Sequence, residues 1–289
     1  MKDLGEAKTC LGLEISRDRE QKLLWVKQTK YISAILERFG MDGSRPVPTP
    51  MVDSHILEEP STSPNKDSFP YREAIGSLMY LMIGTRPDLA FAVGKLAQFC
   101  ENPDMRHWTA VKRVLRYVCG TKELGIKFDG TKPLVGHGFS DSDWAGDVKD
   151  RKSTSAYVFM MAGGPVSWCS RKQTAVATST CEAEYIALSS ACKESIWVNR
   201  LLKSLDGLSE NGKLIFADSA SAMKLSKNES INRRNKHIDV TYHFVRDCVA
   251  KSQVNLEYIP TSEMVAEMLT KPLGRVKYEY LRDKCGVSM

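Results

Sequence analysis

The second half of the chain alternates strand-like and helical segments, and this order constrains the fold more than any other feature. After residue 132, three strand-like segments come first, and Gly163-Gly164 between the second and third favours a hairpin. A long helical segment, a buried strand, two helical segments, a last strand and a final helix from Glu263 follow. This order predicts an α/β fold, a mixed five-stranded sheet with flanking helices. The predicted strands are 134–144, 153–161, 164–173, 213–218 and 254–260.

The first half of the chain has a different pattern. Residues 1–45 predict a small β-hairpin followed by a helix that ends at Gly40. Residues 46–70 hold six prolines among Ser, Thr and Asp, which is typical of an extended linker. Residues 71–132 contain three apolar helical segments and predict a helical subdomain. Residues 133–289 then form the mixed α/β domain.

Composition adds weak limits on function. The net charge of +6 favours an anionic partner without requiring one. None of the eight cysteines forms a C-x-x-C pair, which predicts free thiols in a reducing compartment and no zinc site. The longest apolar stretch is far shorter than the roughly 20 residues that span a bilayer, and the first residues are unlike a signal peptide. We therefore expect a soluble intracellular protein with no membrane partner.

Acidic residues occupy suggestive places in the predicted α/β domain. Asp141 and Asp218 end strands, Glu182 and Glu184 lie in the first turn of the long helix, and Glu267 lies near the start of the last helix. Each alone has a structural explanation, since an acid near a helix N-terminus suits the helix dipole. Four carboxylates at one sheet edge would instead repel and require cations. Oxygen ligands favour two Mg²⁺ or Mn²⁺ ions, which cleave phosphodiesters when about 3.5–4 Å apart.

Two basic segments suit a phosphate backbone. Residues 105–122 hold five Lys or Arg and no acid, and a second basic group lies between the fourth strand and the next long helix. A solvated helix face and a solvated loop are the alternatives for the two segments. The residues predicted to contact nucleic acid are Arg106, Lys112, Arg113, Arg116, Arg233, Arg234 and Lys236.

An ordered set of motifs carries a family resemblance over the whole chain. From residue 133 onward these motifs are SDSDWAGDVKDRKSTSAYVF, SWCSRKQ, STCEAEYIALSSACKE, FADSASA, NKHIDVTYHFVRD and VAEMLTKPL. This half resembles the ribonuclease H domain of copia-type LTR retrotransposon polyproteins. The first half, with YREAIGSLMYL, GTRPDLAFAVGKLAQF and HWTAVKRVLRYVCGT, resembles the region just upstream. There the resemblance implies a remnant of the reverse transcriptase palm in 1–45 and a thumb or connection in 71–132.

The resemblance implies a ribonuclease H fold and four metal ligands. Matched by motif, they are Asp141 in FSD, Glu184 in AEYIA, Asp218 in FADS and Glu267 in VAEMLTKPL. Glu182 stays the lesser candidate because it points to a different helix face. The family usually has Asp where Glu267 stands, so we expect this chain to work better with Mn²⁺ than with Mg²⁺. The implied reaction is endonucleolytic cleavage of the RNA strand of an RNA–DNA hybrid.

The resemblance also implies a setting and leaves alternatives. Implied partners are an RNA–DNA hybrid and the rest of a reverse transcriptase, in the cytoplasm within a virus-like particle and in the nucleus. No Tyr-Val-Asp-Asp motif occurs, so we expect an internal polyprotein fragment without polymerase activity. One alternative is a catalytically silent remnant that only binds nucleic acid. An integrase-type nuclease is disfavoured. Its third acid is a Glu on a later helix, whereas in this chain a Glu lies on the first helix of the α/β domain.

Overall fold

The computed structural model describes residues 5–54, 57, 69–134, 136–206, 213–227 and 239–289. Two compact units make up the chain. The first combines Met1–Lys132 with Pro272–Met289, and the second is Pro133–Lys271. The predicted basic residues Arg233, Arg234 and Lys236 lie outside the described residues.

The first unit contains a five-stranded antiparallel sheet. Its strands pair in the order β1-β2-β3-β4-β10, numbered along the chain. The predicted hairpin is β2 and β3, and Lys22 at its turn has a positive φ of 56°. The strands are β1 (Thr9–Cys10), β2 (Leu13–Asp18), β3 (Leu23–Lys27), β4 (Gly125–Asp129) and β10 (Val287–Ser288).

Five α-helices lie among the described residues of this unit. Their buried faces are apolar, as the helical spacing predicts, and include Leu78, Val93 and Leu115. Asp104 begins the fourth helix by accepting hydrogen bonds from the backbone N–H groups of Arg106 and His107. The helices are α1 (Thr29–Arg38), α2 (Tyr71–Gly84), α3 (Ala90–Ala97), α4 (Met105–Gly120) and α8 (Arg275–Lys284).

Two boundaries differ from the sequence prediction. The segment 71–132, expected to be wholly helical, also contains β4, whose Ile126 pairs with both Val26 and Val287. The prediction of one domain over 133–289 also differs, because Pro272–Met289 groups with the first unit. The reason is long-range pairing: β10 joins β4, and the Tyr278 hydroxyl donates to the Asp88 carbonyl at 2.6 Å.

The second unit confirms the predicted ribonuclease H-like sheet. Five strands pair in the order β7-β6-β5-β8-β9; β5, β6 and β7 are antiparallel neighbours, whereas β5, β8 and β9 run parallel. These strands are β5 (His137–Ser142), β6 (Thr154–Met161), β7 (Gly164–Lys172), β8 (Lys213–Ala217) and β9 (Val254–Tyr258). The helices are α5 (Thr180–Asp206), α6 (Ala220–Lys227) and α7 (Asp239–Ala250).

The long helix α5 forms the centre of the core of this unit. Its buried residues Tyr185, Leu188 and Cys192 recur at helical spacing and pack against Ile215 of β8 and Val245 of α7. This packing fixes the orientation of α5 on the sheet, and thereby the direction of the acids in its first turn.

The prediction of one final helix that begins at Glu263 is wrong. Two short 3₁₀ helices, Thr261–Glu263 and Val265–Leu269, occupy its start, and α8 begins only at Arg275. Pro272 accounts for the break, because proline disfavours helical backbone in the residue before it and lacks an N–H donor.

Among the helices that the structure describes, none combines the length and the apolar character needed to cross a bilayer.

Candidate metal centre

Asp141 lies on the central strand of the second unit. It belongs to β5, which is flanked by β6 on one side and by β8 on the other, and its side chain is almost completely buried. The hydroxyl of Thr270 donates a hydrogen bond to its Oδ2 at 2.6 Å. The carboxylate is therefore held in place from the segment that follows the 3₁₀ helices.

Asp218 is brought beside Asp141 by the register of two parallel strands. Ser140 of β5 pairs with Ala217 of β8, so the next residue of each strand reaches the same sheet edge. The Thr261 hydroxyl donates to Asp218 Oδ2 at 2.7 Å. Both aspartates thus stand at the carboxyl end of their strands, and each accepts a hydrogen bond from a threonine.

The two glutamates in the first turn of α5, Glu182 and Glu184, make different contacts. Glu182 Oε2 accepts a hydrogen bond from the backbone N–H of Thr178 at 2.9 Å, and the Ser179 hydroxyl accepts from the Glu182 N–H at 3.2 Å. The Ser179 hydroxyl thus caps the first turn of the helix, and Glu182 holds the residue that precedes Ser179. Gln173 holds the turn to the sheet, because its Nε2 donates to the Ala183 carbonyl. The carboxylate of Glu182 is therefore bound at the start of the helix, whereas that of Glu184 lies beside the two aspartates.

The three predicted carboxylates converge. One oxygen each of Asp141, Glu184 and Asp218 lies within 4.8 Å of the others. Burial and the negative charges of Asp218 and Glu267 raise the pKa of Asp141 to about 7. They outweigh the hydrogen bond from Thr270 and a nearby lysine, which lower it. Burial and the charges of the two aspartates raise the pKa of Glu184 to about 9. The free protein thus resists full ionisation of this cluster.

The donor set fits a hard divalent cation. Asp141, Glu184 and Asp218 offer carboxylate oxygens alone, which are the ligands that Mg²⁺ and Mn²⁺ prefer. A bound cation would relieve the repulsion that raises these pKa values. The arrangement is therefore chemically suited to hold a metal ion.

Glu267 lies close to this cluster but outside the set of three. It belongs to the second 3₁₀ helix and is buried, and its Oε1 lies 3.1 Å from the ammonium of Lys271. Its negative charge contributes to the raised pKa of Asp141. The predicted fourth ligand is thus near the metal centre, with its carboxylate paired to a lysine.

Lys271 brings a positive charge into the acidic cluster. Burial opposes protonation of its amine, but attraction to Asp141, Glu267 and Asp218 outweighs burial and raises the pKa of Lys271. The sequence analysis missed Lys271 and Thr270, although both stand in the motif that supplied Glu267. Their spacing of three and four residues from this acid was the available signal, since such spacing brings side chains together in a helical turn.

The three arginines of α4 have hydrogen-bonding partners within the chain. The Arg113 guanidinium donates to the Thr49 hydroxyl at 3.1 Å, and Arg116 donates to the Arg45 carbonyl at 2.7 Å. Arg106 forms an ion pair with the N-cap residue, Asp104. These arginines hold local structure together, a function that the sequence analysis did not assign. Lys112 is partly buried on the same helix.

The topology and the acids together define a class of protein. The sheet has the strand order and directions of a ribonuclease H-like domain, with aspartates at the ends of two central parallel strands. A glutamate from the long helix completes the set. This unit is therefore a ribonuclease H-like domain in which three acids converge at the end of the central strands.

Comparison with known proteins identifies the family. The retrovirus-related Pol polyprotein from transposon TNT 1-94 of Nicotiana tabacum is 44% identical over 99% of this chain and 22% of the polyprotein. The corresponding polyprotein from transposon RE2 of Arabidopsis thaliana is 38% identical over 96% of this chain and 19% of its own length. A Plasmopara viticola protein named secreted RxLR effector protein 161 is 55% identical over 45% of this chain and 91% of its length. No protein-family model matches the chain.

The chain belongs to the family of retrovirus-related Pol polyproteins of copia-type transposons. It spans about a fifth of the length of the two polyproteins. Among solved structures, ribonuclease H1 from Halobacterium salinarum is similar with a TM-score of 0.35 at 14% identity, over 47% of this chain and 93% of that protein. LC11 ribonuclease H1 in complex with an RNA/DNA hybrid gives 0.34 at 14% identity, with the same coverage. Residue roles in this chain rest on its own geometry.

Proposed function

We propose that the second unit is a metal-dependent nuclease that cuts the RNA strand of RNA–DNA hybrids endonucleolytically. The observation that carries this proposal is the convergence of three acids on one sheet edge, with oxygens within 4.8 Å of one another. Two of these carboxyl groups have raised pKa values, so the cluster is strained by its own charge. Membership of the Pol polyprotein family supports the choice of substrate.

Asp141, Glu184 and Asp218 would hold the metal, with Glu267 as the neighbouring acid of a second ion. When bound, Mg²⁺ or Mn²⁺ ions supply Lewis-acid activation of a water and charge stabilisation at the scissile phosphate. The threonines restrict the aspartates: Thr270 binds Asp141 and Thr261 binds Asp218. A hydrogen bond to one oxygen of a ligating carboxylate fixes the direction in which that carboxylate points.

The partner is a nucleic acid whose backbone phosphates carry the negative charge that the metal centre and basic side chains attract. The solved LC11 enzyme binds an RNA/DNA hybrid, and we extend that substrate to this chain as part of the proposal. Association with the rest of a reverse transcriptase, and a location in cytoplasmic particles and in the nucleus, belong to the same proposal.

The test is cleavage of an end-labelled RNA strand annealed to DNA, by the purified full chain with Mg²⁺ or Mn²⁺. We expect internal cuts in the RNA and no cutting of duplex DNA. Asp141→Asn should lower the rate on the order of 10⁴-fold, as removal of one essential catalytic group commonly does. Circular dichroism should show that this variant keeps its fold.

The two glutamates of α5 provide a matched comparison. Glu184→Gln should lower the cleavage rate as far as Asp141→Asn does. Glu182→Gln should retain the rate, because an amide oxygen can still accept the hydrogen bond from the Thr178 N–H. Full activity of Asp141→Asn would refute the assigned site. No cleavage by the folded natural protein in either metal would favour the silent nucleic-acid-binding remnant.

A further inference from the structure

Lys271 is anchored in the acidic cluster by its neighbours in the chain. The preceding residue, Thr270, is fully buried and donates its hydroxyl to Asp141 Oδ2 at 2.6 Å. One residue earlier, the carbonyl of Leu269 accepts a hydrogen bond from the Ser170 hydroxyl of β7 at 2.6 Å. The backbone that carries Lys271 is thus tied to two strands of the sheet. Its side chain is consequently directed by the framework of the site.

The charge of Lys271 acts on several carboxylates at once. Its ammonium forms an ion pair with Glu267 Oε1 at 3.1 Å, and Asp141 and Asp218 also attract it. The Asp141 carboxylate is stabilised in turn by the charge of Lys271. Lys271 thus places positive charge beside the three converging acids, Asp141, Glu184 and Asp218, as well as on the neighbouring Glu267.

We propose that Lys271 is a resident cation of the metal centre: it neutralises Glu267 in the metal-free protein and competes with divalent cations for the cluster. The proposal rests on the proposed function, because it assumes that Asp141, Glu184 and Asp218 hold a metal. An ion that uses Glu267 must displace the ammonium, and an ion held by the three other acids must bind beside a positive charge. Both effects weaken metal binding, whereas the same charge stabilises the metal-free fold.

The experiment measures Mn²⁺ binding to the metal-stripped full chain by isothermal titration calorimetry. We compare the natural protein with Lys271→Met, the second neutral variant Lys271→Gln, and Lys271→Arg. Lys251→Met is the matched control, because Lys251 also pairs with an acid four residues away, Asp247, but at an exposed site. Thermal unfolding of each metal-stripped variant gives a second readout.

We expect Lys271→Met and Lys271→Gln to bind Mn²⁺ about ten- to hundredfold more tightly than the natural protein, because a repulsive charge has been removed. Both should unfold at a lower temperature without metal. Lys271→Arg, which keeps the charge, and Lys251→Met should bind Mn²⁺ as the natural protein does. Damage to the fold alone would weaken binding, so the direction of the change separates a resident cation from a packing residue.

Two results would overturn the proposal in different ways. Unchanged or weaker Mn²⁺ binding by both neutral variants, with binding abolished in Asp141→Asn, would remove the role of Lys271 and leave the metal centre intact. Absence of Mn²⁺ binding in every protein, including the natural one, would overturn both the resident cation and the proposed metal-dependent function.

Discussion

Each compact unit of this protein buries a group of charged side chains, but the charges balance in the first group and do not balance in the second. In the first unit, the side chains of Arg86 and Asp88 are both fully buried and form two hydrogen bonds, of 2.9 and 2.7 Å. The hydroxyl of Tyr117 also donates to Asp88, and the carbonyl of Thr121 accepts from Arg86. One positive charge meets one negative charge, each with further polar partners.

In the second unit, the buried charges do not balance. Asp141, Glu184 and Asp218 converge, Glu267 lies beside them, and Lys271 is the cation paired with this acid. Negative charge is therefore in excess within a site that is largely shielded from water. Such an excess is costly in a low-dielectric environment, unless protons or metal ions bind there.

The contrast appears in the pKa values of the acids. Burial opposes ionisation of Asp88, but the attraction and hydrogen bonds of Arg86 outweigh it and lower the pKa of Asp88. Burial and like charges instead raise the pKa of Asp141 and Glu184. A buried charge that is fully paired thus supports the fold, whereas a buried excess of one sign marks a place where a cation binds.

The largest effect is expected from breaking the balanced pair. Arg86→Met leaves Asp88 charged and unpaired in the core, and should lower the free energy of unfolding by about 3–5 kcal/mol. Urea unfolding of the metal-free protein at neutral pH measures this change. The double variant Arg86→Met with Asp88→Leu should recover most of the loss, because no buried charge then remains unpaired.

Asp141→Asn is the matched change in the unbalanced group. It removes one of several repelling charges, so it should leave the stability of the metal-free protein unchanged or raise it. If Arg86→Met proved neutral, or if Asp141→Asn destabilised the metal-free protein as strongly as Arg86→Met, the distinction between the two groups would fail.

The next prediction uses pH. The folded protein binds a proton on Asp141 more tightly than the unfolded chain does, so this stabilisation is complete below the ordinary carboxyl pKa. It is lost as pH rises from about 4 through the raised value, and Glu184 extends the loss to higher pH. Between pH 5 and 8, with EDTA present, the natural protein should lose on the order of 2 kcal/mol relative to Asp141→Asn.

The balanced pair should behave differently over the same range. The lowered pKa of Asp88 keeps it ionised, so its contribution to stability is retained above the ordinary carboxyl pKa and is lost only in acid. The loss of stability between pH 5 and 8 should therefore be the same in Arg86→Met with Asp88→Leu as in the natural protein. Parallel curves for the natural protein and Asp141→Asn would show that the acidic cluster is not strained by its charge.

Periodicity predicted the mixed five-stranded sheet of the second unit because its strands are apolar, short and bounded by turn residues. It did not predict β4 in the first unit, because the five residues of Gly125–Asp129 gain their strand from partners far away in sequence. The grouping of Pro272–Met289 with the first unit has the same cause. A local pattern holds no information about which distant segment will supply a hydrogen-bonding partner.

At the candidate site, the sequence predicted the acids better than their surroundings. Strand ends indicated Asp141 and Asp218, and the register of two parallel strands brings them together. The hydrogen bond between the Ser179 hydroxyl and the Glu182 N–H follows the three-residue spacing of a helix N-cap. The ion pair of Lys271 was not predicted, because a lone lysine beside a proline is ordinarily solvated.

The smallest effect concerns positive charge on α4, where the sequence predicted phosphate contacts. Arg113 and Arg116 each donate a hydrogen bond within the chain, to the Thr49 hydroxyl and to the Arg45 carbonyl, but these acceptors are neutral and do not balance the charge as Asp88 balances Arg86. Replacing either arginine by Ala should lower stability by about 1 kcal/mol, the usual net value of one hydrogen bond. It should leave the salt dependence of hybrid binding almost unchanged.

Lys112 on the same helix is the comparison for these arginines. If α4 tracks a nucleic-acid backbone, Lys112→Ala should flatten the plot of log affinity against log salt by about 0.9 per lost phosphate contact, the value for B-form DNA. Fluorescence anisotropy with a labelled RNA–DNA hybrid at several salt concentrations, with Ca²⁺ in place of Mg²⁺, measures the slope. A larger change of slope for Arg113→Ala and Arg116→Ala than for Lys112→Ala would contradict this expectation and show that the arginines contact phosphate through their remaining N–H donors.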